Sequence, residues 1–255
     1  MPHLFVNRSR KLALLKHVDH PVAHIVWQWA SAVLYIIGGI ILVVGSVFFL
    51  PTYDRLALDG SYMYAVASVL YLWVSAHDIM EVFKAPREEG TNDFILELTA
   101  SFSYAIGAIL FICGSIFFTP GAYEPIAAAW CFIMGSVLFD IGACVNAVQI
   151  WSSPDIVSAQ IANLIAVCFV MGSTFYLSAS VPYLFDFQSE SDTYTEFTLV
   201  ATLYIIGSVL YLVAGFLDMK RFHWVTKLPE HPESKIELPI EDEHQSQVDP
   251  TEEQN

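Results

Sequence analysis

Charge is what this chain has least of. Only 15% of its residues are Asp, Glu, Lys or Arg, against 55% hydrophobic. An ordinary soluble domain carries about 25% charged residues, so this balance points away from water and towards lipid. Alternation of polar and apolar residues is missing from the apolar runs, which argues against a membrane β-barrel. The four cysteines, Cys113, Cys131, Cys144 and Cys168, lie inside apolar runs and form no Cys-x-x-Cys pair. They read as small core residues and not as a metal or redox site. No His-Glu-x-x-His, phosphate-binding Gly-rich loop or paired nucleophile and base is present. No basic surface offers itself to nucleic acid. The first 24 residues lack the short apolar stretch and cleavage site of a secretory leader. The expectation is a protein without catalytic residues, cofactor or metal site.

What the chain does have is six long apolar runs, at about 25–50, 61–83, 94–119, 126–150, 156–185 and 197–217. A bilayer core about 30 Å thick takes about 20 residues of helix, so each run is long enough to span. The expected fold is all-α, a polytopic membrane protein of six transmembrane helices. Basic residues gather on one side of it. Counting alternate joints, ten of the eleven Lys and Arg fall with the two termini or with the joint that holds Lys84 and Arg87; only Arg55 falls on the other side. Since Lys and Arg stay on the cytoplasmic side, both termini are expected there. Trp27, Trp29, Trp151 and Trp224 would then mark the cytoplasmic interface and Trp130 the outer one.

A five-residue pattern punctuates the runs: Gly or Ala, Ser, Val or Ile, any residue, Phe or Tyr. Copies begin at Gly45, Ala67, Gly114, Gly135, Ala179 and Gly207. In the odd runs, Gly38 and Gly45, Gly107 and Gly114, and Gly172 and Ala179 are each seven apart, two helical turns on one face. In the even runs, Ser68, Ser75 and Asp78 correspond to Ser136, Ala143 and Asn146, and to Ser208, Gly215 and Asp218. The simplest account is a two-helix hairpin copied three times. The units run 25–84, 93–151 and 156–224, between a basic segment 1–24 and an acidic tail 228–255. All three hairpins would share one orientation, unlike the inverted repeats of many transporters. The tail holds nine Asp or Glu and one Lys with no apolar period, so it is expected to be disordered, solvated or docked on a protein partner.

The spans with Gly-Ser-Val-Leu-Phe at Gly135–Phe139 and Gly-Ser-Val-Leu-Tyr at Gly207–Tyr211, together with Gly45–Phe49 and Gly114–Phe118, resemble the YrhK-like domain. That resemblance implies short two-helix membrane units, sometimes in tandem, in a bacterial cytoplasmic membrane. The first unit departs from the pattern with Ala67, the third with Ala179 and Pro182. The family carries no established activity, so no catalytic residue transfers.

Small residues let lipid-bathed helices approach closely where no hydrophobic effect drives them together. Gly38, Gly45, Ser68, Gly107, Gly114, Gly135, Gly172, Gly207 and Ser208 are therefore expected at helix contacts. Asp140 stands apart from this scaffold, because its counterparts are Leu72 and Leu212. An intramembrane charge costs about 2.5–3.5 kcal/mol on insertion scales and usually faces a cavity or a partner. Asp140, with Ser136 and Asn146 on its stripe, is the candidate site for a proton or cation, the alternative being a neutral acid bonded across helices. Gln28, His77, Asp78, Glu97, Gln160, Asn163 and Asp218 could converge as a polar layer near the cytoplasmic ends. His77, Asp78 and Glu81 are a weaker suggestion of metal ligands. Three functions follow: a non-catalytic membrane scaffold or sensor; a small transporter, channel or proton-linked permease using Asp140; and, least favoured for want of a paired nucleophile and base, an intramembrane enzyme. The bilayer is the expected partner, and homo-oligomers stay open.

Overall fold

The computed structural model describes residues 21–84, 91–150, 156–185 and 190–227. Six α-helices account for nearly all of it: α1 (Pro21–Phe48), α2 (Ala57–Lys84), α3 (Thr91–Phe117), α4 (Pro125–Ile150), α5 (Ile156–Ser180) and α6 (Glu190–Lys227). Short 3-10 turns at Pro51–Leu56 and Val181–Leu184 follow α1 and α5. No strand occurs among the described residues. The basic segment is described only in its last four residues, which open α1, and the acidic tail lies outside the described residues.

Helix ends fall where backbone chemistry puts them. Pro125 opens α4, where its missing N–H would be unpaired anyway. After α3 the Phe118 and Thr119 amides donate to the Ser115 and Ile116 carbonyls at 3.3 and 2.9 Å, occupying acceptors that the helix end would leave bare. The fifth apolar run was expected to continue to residue 185, but α5 stops at Ser180. Pro182 cannot donate to the ladder, and the chain tightens into a 3-10 turn around it. The last joint is also shorter than its composition suggested, since α6 begins at Glu190. With 38 residues, α6 is about 57 Å long, well beyond a bilayer core.

Each helix packs on its neighbours in sequence, and α6 returns to pack on α1, so the six close into a ring. All six contain a stretch long and apolar enough to cross a membrane. Their outward faces carry large apolar side chains at helical spacing: Val33, Ile37, Ile40 and Val44 on α1, and Ile206, Val209, Val213 and Phe216 on α6. Inside, the ring is filled by tyrosine, phenylalanine, serine and alanine. Polar hydroxyls inward and aliphatic groups outward suit a lipid solvent, where backbone and hydroxyl groups must be satisfied within the protein.

One contact occurs three times. A Cβ added at Gly38 would meet the Tyr71 ring at 2.5 Å, one at Gly107 the Phe139 ring at 2.7 Å, and one at Gly172 the Tyr211 ring at 2.9 Å. In each case the last aromatic of an even-helix motif lies in a notch of the preceding helix. Close backbone approach accompanies it: added Cβ atoms at Gly207 and Gly135 would lie 2.9 and 3.1 Å from the carbonyls of Gly172 and Gly107. At the far end of the first pair, Gly60 meets the Gly45 carbonyl at 2.8 Å in the same sense. Gly114 faces Phe132 and the Ala128 carbonyl, and Ser68 and Ser208 are buried.

Gly107→Val should therefore push the Phe139 ring and the Gly135 backbone away. An overpacking loss of about 1–3 kcal/mol is expected, read as a lower unfolding midpoint in a mixed-micelle denaturant titration. Gly121, with open space around its Cα, is the control, and its alanine variant should unfold like the parent.

Candidate functional site

The polar groups of the bundle fall into layers. Near the C-terminal ends of α1 and α5, four hydroxyls meet. Ser46 Oγ lies 2.6 Å from Tyr64 Oη and 2.7 Å from Ser208 Oγ. Ser208 Oγ lies 2.7 Å from Tyr176 Oη and 3.4 Å from Tyr64 Oη. The two serines also approach the Leu42 and Tyr204 carbonyls of their own helices at 2.7 and 2.8 Å. Four protons cannot serve all six contacts at once. One complete set has Tyr64 donating to Ser46, Ser46 to the Leu42 carbonyl, Tyr176 to Ser208 and Ser208 to Ser46. The cluster ties α1, α2, α5 and α6 together.

Around it stand fully buried rings. Tyr64 packs edge-on against Phe132 and Tyr176, with centroids 6.1 and 6.0 Å apart, and Phe111 packs edge-on against Tyr176 at 5.6 Å and Phe132 at 4.9 Å. Tyr64, Tyr104, Tyr176 and Tyr211 are each at most 1% exposed. Edge-to-face rings at these distances add about 0.5–1.5 kcal/mol per pair beyond the area they bury. In the α3–α4 pair, Phe111 and Phe132 stand where the α5–α6 pair has Tyr176 and Tyr204. Ser136 Oγ, the counterpart of Ser208, is consequently buried with no hydrogen-bond partner among the described residues.

Asp140 is half-buried on α4, and its carboxyl faces Ser173 of α5. Ser173 in turn lies 2.6 Å from Tyr211 Oη and donates to its own helix at the Phe169 carbonyl, 3.0 Å away. Asp140 Oδ1 is buried and has no hydrogen-bond partner among the described residues. Asn146, two turns further on, donates from Nδ2 to Tyr104 Oη at 3.3 Å. Asp140 thus lies against a neighbouring helix, beside the ring-filled axis.

Towards the termini, Asp78, Glu97, Asn146 and Asp218 are all buried. His77 is half-buried, stacks on Trp27 at 3.8 Å and has Nδ1 3.7 Å from Glu81 Oε1. Gln160 and Asn163 do not turn into this layer. Both are exposed, because the buried face of α5 runs through Ser158, Ala162 and Ile165. At 100° per residue, Gln160 projects away from the Ser158–Ala162 edge. The Gln28 side chain lies outside the described residues. His77, Asp78 and Glu81 do not form a ligand set: among the described residues no three His, Cys, Asp or Glu side chains converge as metal ligands would.

Sequence reasoning missed two features. Arg221 was counted with the bases that follow the last span, yet it is buried and donates from Nε to Ser158 Oγ at 3.0 Å. The tyrosine core was missed altogether. Its signal was present: Tyr64, Phe132 and Tyr204 each precede a motif serine by four residues, and Tyr35 and Tyr104 each precede a notch glycine by three.

These features define a class, an all-helical, multi-pass membrane bundle with an aromatic and hydroxyl core. Within it, residues 25–83 and 95–150 each match the YrhK-like protein family. They correspond to the α1–α2 and α3–α4 pairs. No curated protein and no solved structure matches the chain.

Ser208→Ala removes the acceptor of Tyr176 and a partner of Ser46. Hydrogen bonds in membrane bundles average about 0.6 kcal/mol and reach about 1.7, and the loss here should lie in the upper half of that range. Ser115→Ala, which severs a bond to its own helix at the Phe111 carbonyl, should cost less. The same unfolding titration, run on both variants, ranks them.

Proposed function

We propose that this protein is a non-catalytic membrane scaffold or sensor, made of three copies of a YrhK-like hairpin in one orientation. The α5–α6 pair is the third copy, on the strength of its Gly172–Tyr211 notch and its Ser208 motif. The basic joints favour cytoplasmic termini, and the family resemblance favours a bacterial cytoplasmic membrane. The acidic tail would then be available to a cytoplasmic protein, and a second copy of the chain could share the apolar outer face.

The observation that carries this reading is the filled axis. Tyr64, Tyr176, Tyr104 and Tyr211 are buried inside the ring, and they pack on Phe111, Phe132 and Phe139 along the centre, with their hydroxyls bonded to buried Ser46, Ser173, Ser208 and Asn146. Nucleophile and base are not paired in the sequence, which is why an enzyme is not proposed. One observation favours a second reading, a proton-linked permease: the buried Oδ1 of Asp140 beside Ser173 and Tyr211. Such acids usually serve a pathway or a partner.

Proteoliposomes loaded with a pH-sensitive dye separate the two. The scaffold reading expects proton flux no greater than in protein-free vesicles, and Asp140→Leu, which installs the residue of the other two units, should leave stability equal or higher. A proton flux abolished by Asp140→Asn would instead establish the permease. A fluorescent protein fused after Asn255 should fold and emit in the cytoplasm, and a fusion active only on the outer side would reverse the orientation.

A further inference from the structure

At the end of the ring away from the termini, where α1 turns into α2, α3 into α4 and α5 into α6, the helices frame an open bowl of about 730 Å³. Small-molecule sites occupy roughly 300–1,000 Å³. The floor is the inner core itself, Phe132 and Tyr204, whose centroids are 6.2 Å apart. Phe49, Phe118 and Tyr183 form the walls, with Phe118 5.1 Å from Tyr183 and Phe49 5.9 Å from Tyr204. Asp54, exposed in the 3-10 turn after α1, is the one charged residue among those lining the bowl.

Two independent observations fix the sign of a ligand. Ring faces carry negative quadrupole density and attract cations, most strongly when the site is partly desolvated. Among the described residues, the joints and helix ends here also hold one base, Arg55, against Asp54, Asp59, Glu124 and Glu196. A mouth of one sign above low-dielectric walls concentrates counter-ions. A metal ion is a poor match, because a hard cation takes six or more oxygens and the bowl offers one carboxylate. A weakly hydrated organic cation uses both the rings and the charge.

We propose that the bowl binds organic monocations of the quaternary ammonium or phosphonium type with aromatic or alkyl substituents. The cation centre rests near Asp54 and the substituents lie on Phe118, Tyr183 and the floor. This deepens the sensor reading and rests on it in one respect, that the floor of packed rings is closed, so the ligand is held and not passed.

Binding and passage are therefore read separately. Equilibrium dialysis of the full-length protein in a non-ionic detergent uses tetraphenylphosphonium as probe and tetraphenylborate as its shape-matched anion. One saturable phosphonium site per chain is expected, with weaker borate binding. Asp54→Asn and Phe118→Leu should each weaken phosphonium affinity about tenfold, equivalent to about 1.4 kcal/mol. Asp54 is exposed on a turn, so its variant keeps the fold and the test. Equal binding of the two ions, absence of a saturable site, or full affinity in Asp54→Asn would each overturn the proposal. Uptake of tetraphenylphosphonium by proteoliposomes, alongside intact binding, would support the site and overturn the closed floor.

Discussion

A tyrosine or phenylalanine ring lying in a glycine notch of the neighbouring helix is the contact on which this bundle depends. In lipid the hydrophobic effect does not press helices together, so association must come from packing and from hydrogen bonds made inside the protein. The notch supplies both. Gly38, Gly107 and Gly172 remove the Cβ that would strike the ring. Dispersion over the ring's whole face then replaces the few contacts that an alanine could make. Where the ring is a tyrosine, its hydroxyl reaches a serine or a backbone carbonyl: Tyr211 to Ser173, and Tyr71 to the Tyr35 carbonyl at 3.4 Å.

The same constraint explains the differences between the helix pairs. The α5–α6 pair has hydroxyls at Tyr176 and Tyr204, so its serines are bonded: Ser208 to Tyr176, Ser180 to Tyr204 at 2.9 Å. The α3–α4 pair replaces them with Phe111 and Phe132 and leaves Ser136 alone. It gains ring contacts in exchange, since Phe111 touches Phe132, Phe139 and Tyr176. Asp140 belongs to this same pair, on the α4 face that meets α5. A buried polar atom without a partner is costly, and Asp140 carries that cost where Leu72 and Leu212 stand at the same offset from Ser68 and Ser208.

Polar groups occur at both ends of the filled section, and the two ends differ in chemistry. Towards the termini, Asp78, Glu97, Asp218 and Arg221 are buried, with Arg221 held by Ser158. At the other end the bowl is aromatic with a single acid. Between the two ends the buried polar groups form separate clusters among the rings: Asn146 with Tyr104, Ser173 with Tyr211, and Ser46 and Ser208 with Tyr64 and Tyr176.

Helix number, approximate span and the small-residue stripes were legible in the residues, because hydropathy and the 3.6-residue period act locally and need no partner to be read. Which face of α5 would be buried was not legible. Gln160 and Asn163 were grouped with Asp78 and Glu97 by depth alone, and depth says nothing of azimuth until neighbouring helices choose a side. Arg221 looked like one more flanking base, since only the approach of Ser158 across the α5–α6 contact gives it a place inside. The residues by themselves determined six helices long and apolar enough to cross a membrane. The ring closure, the tyrosine-filled axis and the bowl were decided only by the tertiary structure, because each depends on side chains from helices far apart in sequence meeting at one point.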